Sequence, residues 1–407
     1  MLLRAKTAVS IVVSLVLTLM LASTPCSAVE LTIWSFQGQH IPDEVLRAFE
    51  EAHPGVTVVQ EFPAGDFRGE RFLVSSVAGV PPDLIHLNLD FLPMYVLNDL
   101  IVPLTRYIET GKFGSMDVYF PGAVTPYEGE IYFIPHRQSV NTMLYNRLLF
   151  EQSGLDPDNP PVTWEDFRST ARRLTLSDGG QVRQVGVSLR TSTTTLTSWF
   201  QPMLWQAGGE LLTEGRVTIN NEAGRDALSF YVEAVREGYG VEGDSLFRQG
   251  KAGMLWQGWS VYIHNNREAI IDFVDVGPVL EHRQRVGYGS LAGWVVPKGP
   301  NTEMAIELLA FTLQPENVEA FLALSGFLPV RRDIGLEYFG PGDQRWATKF
   351  ITQQPYIRFD ILHPEIRTLQ PMLAQHLIQA VRENLPVEQV LAEAERLANV
   401  HIVESGW

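Results

Sequence analysis

The sequence is poor in cysteine and in positive charge. Its 407 residues include one cysteine, Cys26, and 31 lysines and arginines against 47 aspartates and glutamates. A single cysteine excludes an intramolecular disulfide and a cysteine-rich metal site. The net charge of −16 opposes binding to nucleic acid, whose phosphate backbone needs clustered positive charge. The composition therefore indicates a folded, acidic protein for which nucleic acid is not a partner.

Sequence motifs of several enzyme classes are also missing. Neither the His-Glu-x-x-His pattern of zinc proteases nor the Gly-x-Ser-x-Gly turn of hydrolases occurs. Residues 287–292 match a dinucleotide fingerprint, but the strand-like residues 293–297 follow and cannot open a helix. We therefore expect no cofactor, no metal and no catalysis. A secreted glycosidase, which needs only two carboxylates, is the enzymatic alternative that stays open.

Long apolar runs are confined to the N-terminus. Residues 8–22 are apolar, follow the basic Arg4 and Lys6, and lead through small residues to Ala28. This pattern is typical of a secretory signal peptide and predicts cleavage after Ala28. The run is shorter than the roughly 20 residues that span a bilayer. The exported protein would lie in the periplasm or at the cell surface, and lipid attachment to Cys26 is the alternative.

The first hundred residues after this segment alternate between strand and helix patterns. Apolar, β-branched runs predict three strands, at residues 31–36, 56–59 and 83–87. Helical spacing of apolar residues predicts three helices, at 45–52, 68–78 and 91–100. This alternation indicates a parallel sheet covered by helices on both faces. Ligands of such sheets bind at the carboxyl ends of the strands, which directs attention to residues 37–40 and 88–91.

The later part of the chain has the same α/β style without a sequence repeat. Thr163 and Asp166 have the spacing of a capping box and predict a helix that ends near Leu174. A short strand is predicted at 185–187, and further helices are predicted after Asn221, after Asn301 and over 386–403. The chain is longer than a single hydrophobic core usually supports, and it contains no long linker. We therefore expect two interwoven lobes.

Short segments in a particular order along the chain carry a family resemblance. They are LTIW at 31–34, FEEAHPG at 49–55, GVPPDL at 79–84, GEIYFIP at 129–135, MLYN at 143–146, PVTWEDF at 161–167, FRQGKAGM at 247–254 with QGW at 257–259, GWVVPKG at 293–299 and GFLPVR at 326–331. In this order they resemble the sugar-binding family of extracellular solute-binding proteins of ABC importers. That family includes maltose, trehalose and glycerol-phosphate binders.

The resemblance implies a fold and a mode of action. The fold would be α/β, of the periplasmic-binding-protein-like type II, with two doubly wound lobes joined by a hinge of several crossovers. One lobe would comprise residues 29–137 and 281–327, and the other residues 138–280 and 328–407. In that family the lobes rotate together around the ligand, and a membrane permease recognises the closed form. The resemblance thus implies a monomer with a small-molecule ligand and an ABC permease as partners.

A sugar combines an apolar ring face with a rim of hydroxyls, which suits aromatic planes surrounded by polar side chains. Candidates on the predicted loops and the first crossover are Gln37, Gln39, His40, Asn88, Asp90, Phe91, Arg137 and Gln138. Candidates from the Thr/Ser-rich segment, the family positions and the C-terminal segment are Trp199, Trp205, Trp259, Gly293, Trp294, Arg331 and Arg358. We place most weight on Trp259, Asp90 and Trp294.

Two departures from the family pattern bear on the ligand. Ala292 stands where many members have the first of two glycines, and Arg137 lies where a tryptophan often follows the strand. The Arg137 cation favours an anionic ligand or serves as a hydroxyl donor. A glycerol-phosphate ester or another anionic solute is therefore the alternative to a neutral sugar. Arg331 has the alternative role of fixing the third crossover to the body of the protein.

Overall fold

The computed structural model describes residues 28–178, 181–340 and 342–407. The predicted signal peptide, including Cys26, lies outside the described residues except for Ala28, so the cleavage site stays a prediction. Over the described ranges, no helix combines the length and the apolar character that crossing a membrane requires.

Most of the predicted elements are present. The strands of the described chain are β1 (Val29–Trp34), β2 (Val56–Glu61), β3 (Leu84–Asn88), β4 (Ile134–Val140), β5 (Thr142–Asn146), β6 (Leu176–Asp178), β7 (Gln181–Leu189), β8 (Leu212–Thr213), β9 (Arg216–Val217), β10 (Gly240–Glu242), β11 (Ala252–Gly258), β12 (Val274–Val276), β13 (Gly287–Val295) and β14 (Ile357–Arg358). The α-helices span Asp43–Ala52, Phe72–Val77, Leu92–Leu97, Thr105–Glu109, Arg147–Gln152, Trp164–Leu174, Phe200–Gln206, Glu222–Arg236, Ser245–Arg248, Ser260–Asn265, Arg267–Ile270, Thr302–Thr312, Pro315–Ser325, Gln344–Ile351, Ile366–Arg382 and Val387–Glu404.

The helix-start signals in the sequence act as caps. The Thr163 hydroxyl accepts a hydrogen bond from the Asp166 amide, and the Asn221 side chain accepts one from the Gly224 amide. The predicted helix over 68–78 is shorter than expected. Residues 67–71 form a wide turn that is kinked at Gly69, so the regular helix begins only at Phe72.

The first lobe is built on a sheet with the strand order β14-β13-β3-β1-β2, and β4 also pairs with β13. Strand β1 is parallel to β2 and β3, as the alternation of strands and helices predicts. Strand β13, for which no pairing was predicted, runs antiparallel to β3 and β4. The core of this lobe contains Phe49, Tyr95 and Trp294.

The second lobe is built on a sheet with the order β10-β7-β11-β5-β12, with β6 at the side of β7. Strands β7, β10 and β11 are mutually parallel, whereas β5 and β12 are antiparallel to their neighbours. One face packs on a large cluster that includes Trp164, Trp199 and Leu373, and a smaller cluster contains Leu144 and Phe350. Two sheet-containing lobes with helices packed on them confirm the predicted fold class.

The chain passes between the sheets several times. Strands β4 and β5 are separated by Asn141 alone, yet β4 pairs with β13 and β5 pairs with β11. Strand β14 pairs with β13 of the first sheet, although we predicted residues 328–407 for the second lobe. Because Ile357 and Arg358 lie in register with Gly287 and Tyr288, this short segment belongs to the first sheet. The other predicted lobe bounds stay a prediction.

Candidate ligand-binding cleft

A cavity of about 560 Å³ lies between the two sheets, within the range of roughly 300–1,000 Å³ that is usual for small-molecule sites. Its wall is formed by residues of both lobes and of the crossovers. They are Asn88, Arg137, Ser139, Asn141, Arg190, Thr191, Ser192, Thr195, Thr197, Ser198, Gly243, Asp244, Trp259, Tyr288, Ser290 and Phe327. Most of these side chains carry a hydroxyl, amide or guanidinium group.

Strand ends place these residues in the wall. In the second lobe, the residues that directly follow the parallel strands β7, β10 and β11 are Arg190, Gly243 and Trp259. In the first lobe, β3 ends at Asn88. The carboxyl edge of a parallel sheet is where such folds bind ligands, because the chain reverses there and leaves a crevice. The cavity therefore occupies the position that the sheet topology predicts.

The segment 191–198 forms a hydroxyl-rich part of the wall. The Ser192 hydroxyl accepts hydrogen bonds from the backbone amides of Thr194 and Thr195, at 3.1 and 3.3 Å. The Thr195 hydroxyl donates to the side-chain oxygen of Gln370 at 2.6 Å. These bonds order the segment, and a hydroxyl can both donate and accept hydrogen bonds. This part of the wall matches the rim of a polyhydroxylated solute.

Trp259 lies at the cavity with one aromatic face already in contact with a cation. The guanidinium carbon of Arg190 is 4.1 Å from the indole centroid, and Arg190 donates to the Gln257 carbonyl at 3.2 Å. Burial lowers the pKa of Arg190. Gln257 has a positive φ of 67° next to an irregularity in the pairing of β11 with β5. This bulge shifts the register of the pairing between Leu255 and Gly258, just before Trp259.

Arg137 is the most buried charged residue of the wall, with 4% of its surface exposed. Its Nη2 donates to Oε1 of Gln39 at 2.8 Å, and its guanidinium carbon is 3.7 Å from the centroid of Phe327. Its Nε is buried without a hydrogen-bond partner in the described part of the chain. Burial, with a smaller effect of Arg68, lowers the pKa of Arg137 to about 9.

Tyr288 connects the cavity wall to a buried carboxyl group. Its hydroxyl donates to Oδ1 of Asp360 at 2.5 Å. Oδ2 of Asp360 and Oδ1 of Asp90 are both buried and have no hydrogen-bond partner among the described residues. Burial and the charge of Asp90 raise the pKa of Asp360 to about 7. Asp360 therefore changes its charge near neutral pH, directly behind a residue of the wall.

Three of the predicted site residues line the cavity: Asn88, Arg137 and Trp259. Gln39 contacts the wall through its hydrogen bond with Arg137. The other predicted residues of the first loop and first crossover lie elsewhere. Gln37 is exposed, the ring of His40 packs 5.2 Å from that of Phe62, and the buried amide of Gln138 donates to the Pro329 carbonyl.

The remaining predicted tryptophans are buried and do not lie in the cavity wall. Trp199 is fully buried, and its indole donates to the Thr195 carbonyl. Trp205 lies on the helix Phe200–Gln206, all of whose residues are buried. Trp294 packs against the rings of His86 and His136, at 5.1 and 5.4 Å, in the core of the first lobe. Their apolar surroundings explain these positions.

Gly293 also lies away from the cavity wall. A Cβ atom built on it would lie 2.1 Å from the carbonyl oxygen of Ile134 and 2.6 Å from Cα of Pro135. These two residues belong to β4, which pairs with β13 at this point. The structure therefore assigns Gly293 to close packing of two strands, where a larger residue does not fit.

The four other predicted residues are engaged in contacts with other residues of the protein. Asp90 is ion-paired with Arg367 at 2.6 Å, and Phe91 is buried beside it. Arg331 donates to both carboxylate oxygens of Asp333, and Arg358 pairs with both oxygens of Glu210. None of the four lines the cavity.

The cavity wall also contains residues that were not predicted: Arg190, Ser139, Tyr288, Ser290 and the hydroxyls of segment 191–198. The sequence contained one signal for part of this set. Arg190 and the Thr/Ser run come shortly after the strand predicted at 185–187, where a ligand-binding loop is expected. For Ser139, Tyr288 and Ser290, no local signal exists, because they lie within strands and their side of the sheet depends on pairing. Within the ranges 28–178, 181–340 and 342–407, no three His, Cys, Asp or Glu residues are grouped as metal ligands.

Comparison with known proteins gives a consistent result. The sequence profile of the bacterial extracellular solute-binding proteins matches residues 44–347. A protein of Brucella abortus (strain 2308) is 24% identical over 335 residues, which are 77% of this chain and 78% of that protein. The sugar-binding protein MalE from Xanthomonas citri has a TM-score of 0.81 at 17% identity, over 93% of this chain and 98% of that one. UgpB from Mycobacterium tuberculosis, in complex with glycerophosphocholine, has a TM-score of 0.78 at 18% identity, over 93% and 99%.

Proposed function

Because the chain belongs to the family of bacterial extracellular solute-binding proteins, we propose that it captures a sugar or oligosaccharide in the cleft and delivers it to an ABC permease. Family membership confirms the prediction of a binding protein and not an enzyme. It also supports a location outside the cytoplasm. The sugar, the permease and the monomeric state are parts of the proposal.

The observation that carries the proposal is the composition of the cavity wall. Hydroxyls of segment 191–198 in the second lobe share one cavity with Asn88, Ser139 and Ser290 of the first lobe, and Trp259 provides an aromatic surface. Hydroxyls and amides match the rim of a sugar, and an aromatic edge or face matches its C–H groups. The sugar-binding MalE and the glycerophosphocholine complex of UgpB, which share this fold, also support a polar, hydroxyl-bearing solute.

The same geometry supports capture by closure of the lobes. A solute in this cavity contacts both lobes at once, so it binds the closed arrangement more tightly than an open one. Asn141, which alone separates β4 from β5, lies in the wall, and its backbone amide donates to the Tyr288 carbonyl at 2.9 Å. Rotation about this connection would therefore change the shape of the cavity itself.

Mass spectrometry of the small molecule that co-purifies with the native protein tests the proposal. We expect a hydroxyl-rich compound. The same compound, added to stripped protein, should raise the melting temperature and reduce the radius of gyration in solution scattering. If a broad panel of mono- and oligosaccharides and their esters produced neither a thermal shift nor compaction, the proposed function would be wrong.

A further inference from the structure

Two arginines of the cavity wall have no carboxylate partner. Arg137 of the first lobe and Arg190 of the second lobe form no ion pair within the part of the chain that the structure describes. The guanidinium carbon of each lies over an aromatic ring, 3.7 Å from the centroid of Phe327 for Arg137 and 4.1 Å from that of Trp259 for Arg190. A planar guanidinium that stacks by its face keeps its N–H donors at its edge, where they can bind an oxyanion. The chain as a whole has more acidic than basic residues. The absence of a carboxylate partner is therefore a feature of these two positions and not of the composition.

Arg331 provides a comparison within the same protein. It is as buried as Arg137, at 7% against 4% exposed surface, but it donates to both oxygens of Asp333 and to the Leu313 carbonyl. Burial acts to lower the pKa of Arg331, but the hydrogen bond to Asp333 and the neighbouring charges outweigh it, so this pKa is raised. Arg137 has only the amide oxygen of Gln39 and an aromatic ring, and its Nε has no partner. Burying a cation without an anion costs free energy. A negatively charged group beside Arg137 would reduce this cost.

The acidic residues near the two arginines do not form ion pairs with them. Asp244 lines the cavity, but its ion pair is with Arg248 at 3.3 Å, and it acts on Arg190 only over a longer distance. Asp360 accepts from Tyr288 and acts on Arg137 only over a longer distance. Burial and the charge of Asp90 raise the pKa of Asp360 to about 7, well above that of an ordinary carboxyl group. Within the cavity, positive charge therefore exceeds negative charge.

We propose that the captured solute carries an anionic group, a carboxylate or a phosphate ester on a hydroxyl-rich small molecule, which binds between Arg137 and Arg190. This inference rests on the proposed function, because it takes the cleft to be the solute site. One arginine comes from each lobe, so an anion that contacts both favours the closed arrangement. The hydroxyls of segment 191–198 would then bind the uncharged part of the solute.

Calorimetric titration with paired probes tests the inference. The carboxylate probes are D-galacturonate and its trimer, the phosphate probe is sn-glycerol 3-phosphate, and the neutral matches are galactose, galactotriose and glycerol. We expect at least one anionic probe to bind about 10-fold or more tightly than its neutral match, since a hydrogen bond to a charged group contributes about 1.5–3 kcal/mol. Its affinity should also fall as salt is raised. Which anionic probe binds identifies the source of the charge.

Variants assign the effect to the two residues. Arg137→Gln and Arg190→Gln should each weaken the anionic probe about 10-fold more than they weaken its neutral match. Arg285→Gln is the matched control, because Arg285 stacks on Tyr356 at 4.2 Å outside the cavity. If Arg137→Gln fails to fold, Arg190→Gln and the salt dependence of the wild type still decide the question.

Neutral probes that bind as tightly as their anionic matches would overturn this inference and leave the proposed function standing. Absence of binding by any solute would count against the proposed function.

Discussion

Arg367 of the second lobe donates a hydrogen bond to Asp90 of the first lobe over 2.6 Å. The same guanidinium lies 3.4 Å from the centroid of Phe91 and 3.2 Å from a carboxylate oxygen of Asp66. Arg367 is carried by the helix Ile366–Arg382, whose apolar side packs in the core of the second lobe. These contacts therefore join the two lobes beside the cavity, independently of any solute.

Removing this connection should favour an open arrangement. We expect Arg367→Gln to increase the radius of gyration of the solute-free protein at low salt and to weaken solute binding by about 2- to 10-fold, since each exposed ion pair contributes up to about 1 kcal/mol. Arg396→Gln is the control, because its pair with Glu393 lies within one helix. Solution scattering and calorimetry make the comparison. Identical values for both variants and the wild type would show that Arg367 does not hold the lobes together.

Trp259 should be required for affinity but not for folding. Trp259→Ala removes the half-buried indole at the cavity and the surface on which Arg190 stacks. We expect the affinity for the co-purifying solute to fall about 10-fold or more, in line with the roughly 1.5–3 kcal/mol of a buried large apolar side chain. Trp407→Ala, in an exposed position at the end of the chain, should have no effect. Unchanged calorimetric affinity for Trp259→Ala would place the solute elsewhere.

Stability should depend on pH through Asp360. Its pKa is raised to about 7 in the folded protein, so the folded state binds this proton more tightly than the unfolded state. The stabilising contribution is fully present below the pKa of the unfolded carboxyl and is lost as pH rises through about 7. It amounts to at most about 4 kcal/mol, at about 1.4 kcal/mol per pKa unit.

The uncharged variant Asp360→Asn isolates this contribution. Compared with the wild type, it should gain relative stability as pH rises from 5 to 8, because it has no carboxyl to ionise. Urea unfolding at pH 5, 6, 7 and 8 provides the measurement. Parallel stability curves for the two proteins across this range would exclude Asp360 as the source.

Close strand packing at Gly293 should be intolerant of any side chain. Gly293→Ala places a methyl group 2.1 Å from the Ile134 carbonyl oxygen and should lower the free energy of unfolding by about 2 kcal/mol or more. Gly299→Ala is the matched control, since no atom lies within 4 Å of a Cβ at that position. Thermal unfolding should show a lower melting temperature for the first variant only. Equal melting temperatures would mean that β4 moves aside at little cost.

The sequence predicted the fold well because the signals for it are local. Apolar periodicity placed the strands and helices of the first lobe, and the side chains of Thr163 and Asn221 do cap the helices that follow them. The ordered family segments supplied the two-lobe arrangement. What local patterns did not predict was the return of Ile357 and Arg358 to the first sheet, since strand pairing over such a separation leaves no periodic signal.

The cleft was predicted less well than the fold. Asn88, Arg137 and Trp259 were found because they follow strand ends or a family segment. Trp199, Trp205 and Trp294 were predicted to stack on a sugar ring, but all three are buried. The sequence around a tryptophan does not distinguish a core position from a cleft position. Which face of a strand or helix points inward is decided by neighbours that are distant in sequence.

The one-residue connection at Asn141 has a practical consequence. A joint this short allows bending but little sliding, so rotation about it changes the distance between points on opposite lobes. A pair of fluorescent labels on the outer surfaces, far from the solute, would therefore report occupancy of the cleft without touching it.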